Sequence, residues 1–174
     1  MNRFLLLIAA AATALALASA AFSGPQYLDR TGYAVSGYDV VAYFDLEQNA
    51  PGTPQPPAVP GDSGIVSEYN GATFAFSTPQ NKARFDANPA AFVPQYDGHC
   101  AYGVSQGGKV PANPDLWRIV DGRLYLNISR NVVGFWEEDI AGNIERAEAN
   151  WPQIESQPAS AGAIPDFSGN APRD

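Results

Sequence analysis

Two dipeptides, Asn70-Gly71 and Asp121-Gly122, do most to limit what this chain can fold into. Each stands between runs rich in aromatic and β-branched residues: Ser67 to Tyr69 and Ala72 to Ser77 around the first, Leu116 to Val120 and Arg123 to Ile128 around the second. A two-residue loop of this kind takes positive φ at both positions, which matches the twist of the strands it joins, so both stretches read as β-hairpins. The return strand of the second hairpin alternates apolar and polar residues, as a sheet with one buried face requires.

Helical signals follow both hairpins. Thr78-Pro79 reads as an N-cap and first helical residue. The helix then runs through Lys82 and Phe85 until Asn88-Pro89 stops it, with one further turn from Pro89 to Phe92. After the second hairpin Ser129 caps a longer helical region. Val132, Trp136, Ile140, Ile144, Ala147 and Trp151 form one apolar stripe there, with Ala141-Gly142 as the expected break and Pro152 as the expected end. Hairpins and helices in this order predict an α+β fold: a small single domain with two β-hairpins and about three helices.

The intervening stretches are less regular. Gly37 to Phe44 is too apolar for the surface and reads as a buried strand or a tucked turn-and-helix, which periodicity alone leaves open. Asp39, its only acid, has the character of a cap or turn residue. Five prolines between Gln48 and Gly64 exclude regular helix and central strand. A Pro-rich loop over 48–62, exposed, extended and mobile, is expected there. Residues 153–174, rich in Pro, Ser, Ala and Gly, are expected to form a disordered tail.

The first twenty residues predict the compartment. One positive charge at Arg3, an apolar run from Phe4 to Leu17 and the small residues Ala18-Ser19-Ala20 have the layout of a secretory signal peptide over 1–20. The run is shorter than the roughly 20 residues a membrane span needs, so no stable membrane insertion is expected after cleavage. The expected location is therefore periplasmic or secreted. Loss of Arg3 leaves nine basic against eighteen acidic residues. So acidic a chain, without a Lys/Arg cluster, is a poor partner for nucleic acid.

Chemistry concentrates in Tyr96 to Gly103, which holds the only histidine, His99, beside the only cysteine, Cys100. A soft ligand, a nucleophile and a neutral-pH proton acceptor coincide there. Cys100 has no partner for an intramolecular disulfide, and Gly98 and Gly103 suggest a tight backbone path past other groups. One Cys and one His cannot complete a four-ligand zinc site without carboxylates, and a single-chain blue-copper site lacks its second His. Neighbours in an extended chain point apart, so His99 is poorly placed to activate Cys100 as a catalytic nucleophile. The acids Glu137, Glu138 and Asp139 read as the solvated face and cap of a helix.

Taken together, several motifs resemble the YHS-domain family, in particular its exported branch. They are Gly37-Tyr38-Asp39 with Val41 to Phe44, Tyr69 to Thr73 with Phe76-Ser77, then Asn81, Phe85 and Asn88-Pro89. Tyr96, Gly98 and Cys100 to Tyr102 also match, as do the hairpin from Trp117 to Asn127, Trp136 to Asn143, and Asn150 to Pro152. The resemblance covers residues 33–152, with a Pro-rich loop longer than is usual. It implies metal binding, because YHS domains appended to heavy-metal transporters carry two Cys four residues apart at a strand-to-helix turn. Ser77 and Asn81 hold those positions here, and Cys100 belongs to a motif of the exported branch. The resemblance and the residues together give an exported, non-catalytic domain. The expected role is binding copper or zinc through Cys100, with His99 and Asp39 as helpers. The alternatives are a protein-interaction or small-molecule-binding module with a buried structural Cys, and a thiol-dependent enzyme or redox protein.

Overall fold

A computed structural model describes residues 24–174; the leader expected over 1–20 lies outside the described residues. The chain runs β1 (Asp62–Tyr69), β2 (Ala72–Phe76), α1 (Pro79–Ala87), α2 (Ala101–Ser105), β3 (Asn113–Val120), β4 (Arg123–Asn127), α3 (Arg130–Glu137) and α4 (Ile140–Ile154). The expected α+β class is what forms, with both hairpins as separate two-stranded antiparallel sheets. Asn70, Gly71, Asp121 and Gly122 take φ of 49°, 73°, 49° and 72°, the left-handed pair that such turns need.

A lone two-stranded sheet cannot bury a face, so both lean on a common core. Phe74 and Phe76 of β2, Phe85 of α1, and Leu124 and Leu126 of β4 meet there with Val40, Val41 and Tyr43. The alternation in β4 serves two cores at once. Leu124 and Leu126 enter this one, while Tyr125 turns into a second cluster with Tyr96, Val104, Trp136, Ala147 and Ile154. The second hairpin is thus the wall between the cores. The stretch at 37–44 takes the turn option, with 3-10 turns at Val35–Gly37 and Ala42–Asp45.

Local signals place the helix starts well. Thr78 Oγ1 accepts from Asn81 N–H at 3.1 Å and Ser129 Oγ from Val132 N–H at 3.4 Å. The stripe from Val132 to Trp151 breaks earlier than Ala141-Gly142, because the Asp139 carboxylate accepts from Gly142 N–H at 3.0 Å and so caps α4. With the short α2, which no helical signal in the sequence announces, the described residues hold four α-helices against the expected number of about three. Asn143 locks the break: its Nδ2 donates to the Phe135 and Trp136 carbonyls, and its Oδ1 accepts from Ser105 Oγ of α2. Pro152 does not end α4, which continues to Ile154. The N–H that Pro152 lacks would have served the carbonyl of Glu148, an exposed residue within reach of water.

Two segments expected to be loose are tied down. Along the Pro-rich loop, Gln48 Nε2 donates to the Ile119 carbonyl while its Oε1 accepts from Ile119 N–H. Trp117 Nε1 donates to the Pro56 carbonyl at 2.9 Å, and Ala58 N–H donates to Asp115 at 2.9 Å. Arg118 Nε and Nη2 hold Glu137 Oε1, Arg118 Nη1 donates to the Asn49 carbonyl, and Glu137 Oε2 accepts from Gly52 N–H. Glu137, expected on a solvated face, keeps only 9% of its side chain exposed, and Arg118 6%. Prolines rule out a ladder but leave carbonyls that side chains on β3 and α3 can satisfy, which is why the loop stays put.

The tail is likewise laid on the domain instead of disordered. Arg173 N–H donates to Gly61 and its carbonyl accepts from Ser63, extending the edge of β1. Phe167 packs on Tyr38 with ring centroids 6.1 Å apart, Ala171 is buried, and Tyr27 Oη donates to the Gly162 carbonyl. Composition misjudged this segment because its backbone does most of the holding.

Removing one member of a buried ion pair strands the other, so Arg118→Ala should cost about 3–5 kcal/mol. Urea unfolding followed by circular dichroism measures that loss.

Candidate functional site

The stretch around His99 and Cys100 begins with a forced turn. Tyr96, Asp97 and Gly98 are successively left-handed, with φ of 57°, 53° and 78°. That conformation costs a residue other than glycine about 1–2 kcal/mol. Bonds from Tyr27 N–H to the Asp97 carbonyl at 2.8 Å and from Gln26 Nε2 to Asp97 Oδ1 at 2.8 Å hold it. The turn sends the chain inward, and both His99 and Cys100 are fully buried. The tight path expected from the glycines is present: a side chain at Gly103 would start 2.5 Å from Val110 Cγ2.

His99 spends both ring nitrogens. Nε2 accepts from Ser160 N–H of the tail at 3.1 Å, so the proton sits on Nδ1 and donates to the Tyr96 carbonyl at 2.9 Å. Burial pushes its pKa from 6.5 down to about 4; the bond to Tyr96 opposes the shift and the Lys109 charge adds to it. The ring is neutral and packs against Tyr27 and Trp151, with centroids 5.7 and 6.3 Å away.

Cys100 is the N-cap of α2. Its Sγ accepts from Gly103 N–H and donates to Asn127 Oδ1, both at 3.4 Å. Burial raises the thiol pKa, against the lowering effect of the N–H groups of Gly103 and its neighbours. The neutral thiol is favoured, which suits a cap and not a ligand or nucleophile.

Asp39 lies in a third environment. Its Oδ1 accepts from the N–H groups of Val41 and Ala42, and its Oδ2 from Ser77 N–H, Ser77 Oγ and Asn81 Nδ2 at 2.7–2.8 Å. The two side chains at the positions where the resemblance puts cysteines in transporter domains are therefore donors to one buried carboxylate. Asp39, His99 and Cys100 are not brought to one point. Among the described residues no group of three His, Cys, Asp or Glu side chains is placed to hold a metal ion. These three residues, buried and with their polar atoms engaged, do not fit copper or zinc.

The open space is elsewhere. A cleft of about 350 Å³ lies between the Pro-rich loop, the start of β3 and α3, with Pro54, Pro57, Leu116, Trp117 and Val133 as its apolar lining. A second cleft of about 400 Å³ lies on the tail side, lined by Tyr38, Asn113, Ser129, Asn131 and residues 165–170. Asp115, Leu116 and Arg130 line both. Lys82, Arg84, Arg118, Arg123 and Arg146 are in ion pairs, and Lys109 donates to the carbonyls of Glu155 and Gln157. Arg130 is in no ion pair among the described residues and does not pair with Asp115. The sequence reading passed over this place, because its parts are a proline loop, a hairpin residue and a helix face. The one available signal was Gly134, the single glycine of α3, in the middle of a helix where glycine costs stability.

His99 supplies a pH test. The unfolded chain takes up its proton near pH 6.5 and the folded chain only near pH 4, so stability should fall as pH drops across that window. The loss should total up to about 3 kcal/mol and be missing from the urea-unfolding profile of His99→Gln. For Cys100, a thiol reagent should label the native protein at least 100-fold more slowly than the urea-unfolded chain. Equal rates would place the thiol at the surface.

Comparison with family models, with curated proteins and with solved structures finds no match for this chain.

Proposed function

We propose that this chain is an exported, non-catalytic module of the YHS type that binds a small molecule in the cleft beside the Pro-rich loop, with Cys100 a structural residue. The family part rests on the motifs from Gly37 to Pro152. The binding part rests on the cleft itself. Its volume lies in the range of small-molecule sites, and its walls mix apolar surface with a few polar groups, as such sites do.

The observation that carries the reading is Gly134. Glycine inside a helix costs about 1 kcal/mol relative to alanine. Nothing in the packing asks for it: a Cβ built there meets no atom within 4 Å, and its φ is not left-handed. Gly134 itself lines the cleft. We read it as giving up helix stability to leave that stretch of the cleft wall without a side chain.

The alternatives have weaker support. His99 has no nitrogen left to deprotonate Cys100, which removes the base a thiol enzyme needs.

The test fills the cleft without touching the core. Gly134→Leu should raise unfolding stability by about 0.5–1 kcal/mol through helix propensity alone. The same variant should bind the neutral apolar fluorophore N-phenyl-1-naphthylamine at least tenfold more weakly than the natural chain, which should take up one equivalent. Equal binding by both proteins would overturn the assignment of the cleft.

A further inference from the structure

Resting on that reading of the cleft, we infer that its ligand is a short zwitterionic peptide, with an apolar side chain in the first cleft and a polar one in the second. The argument starts from charge. Arg130 and Asp115 line both clefts, and neither is in an ion pair among the described residues. Asp115 does accept one hydrogen bond, from Ala58 N–H, which fixes the carboxylate without cancelling its charge.

In so acidic a chain a free cation at a cleft would, alone, favour a simple anion. Asp115 beside it, and Asp166 in the second cleft, make a plain anion the poorer fit. A molecule with both charges meets both groups: its carboxylate faces Arg130, its ammonium Asp115. Glu137 also lines the first cleft, but its charge is spent on Arg118 and on Gly52 N–H.

The walls then divide the rest of the molecule. Pro54, Pro57, Leu116, Trp117 and Val133 offer an apolar side chain a surface to cover. On the other side Asn113, Ser129, Asn131, Ser168 and Asn170 offer amides and hydroxyls. Successive side chains of an extended peptide point to opposite sides, which suits two unlike clefts that share Asp115, Leu116 and Arg130 as lining residues.

The probe is leucylserine, compared with its N-acetylated, C-amidated form, by isothermal titration against the full mature chain. The free dipeptide should bind at 1:1 and displace N-phenyl-1-naphthylamine. Blocking both ends should weaken it roughly tenfold, and Arg130→Gln and Asp115→Asn should each weaken it roughly fivefold. Asp115→Asn keeps the oxygen that receives Ala58 N–H, and the Arg130 side chain is in no ion pair or hydrogen bond among the described residues, so both variants should retain the structure. Equal affinity for free and blocked peptide, or no effect of either substitution, overturns the zwitterion inference while fluorophore binding still upholds the cleft. Loss of the dipeptide and the fluorophore alike from the natural chain overturns both. Dipeptide binding that survives Gly134→Leu puts the peptide elsewhere and also sinks the inference.

Discussion

The ion pair between Arg118 and Glu137 is the interaction on which the architecture around the cleft depends. It is nearly closed to solvent, and a pair in that position survives only if its remaining donors and acceptors are met. Asn49 and Gly52 meet them, so the condition for burying the pair is also the condition for folding the proline loop onto β3 and α3. Three pieces far apart in sequence are therefore fixed by one electrostatic requirement. The cleft is the space this arrangement leaves between them.

Asp39 does a comparable task on the opposite side of the core. Five donors from the N-terminal turn, the end of β2 and the start of α1 converge on one carboxylate. Because two of those donors are Ser77 and Asn81, the strand-to-helix turn is held together by a hydrogen-bonded acid.

Much of the fold was legible because its signals are local. Asn70-Gly71, Asp121-Gly122, Thr78-Pro79 and Ser129 each act within three residues, so neighbours alone reveal them. Glu137, Gln48 and the tail were misread for the opposite reason: their partners lie on other elements, from 19 to more than 60 residues away, and several are backbone groups that composition does not describe. The same limit applied to the site. His99 and Cys100 drew attention by being single, but scarcity says nothing of whether a ring nitrogen or a thiol is already engaged. Their neighbours in space, Ser160 and Asn127, decided that. Arg130 and Asp115 carry no motif, and that neither is in an ion pair among the described residues is visible only in three dimensions.

One amide has a consequence beyond the cleft. Gln48 both gives to and takes from Ile119, as a neighbouring strand would, and so closes that part of the outer edge of β3. An open edge is a template for another chain, and a protein with a single buried thiol has no disulfide to keep its sheets from being recruited. Resistance to fibril growth along this hairpin thus falls to one flexible side chain at the surface.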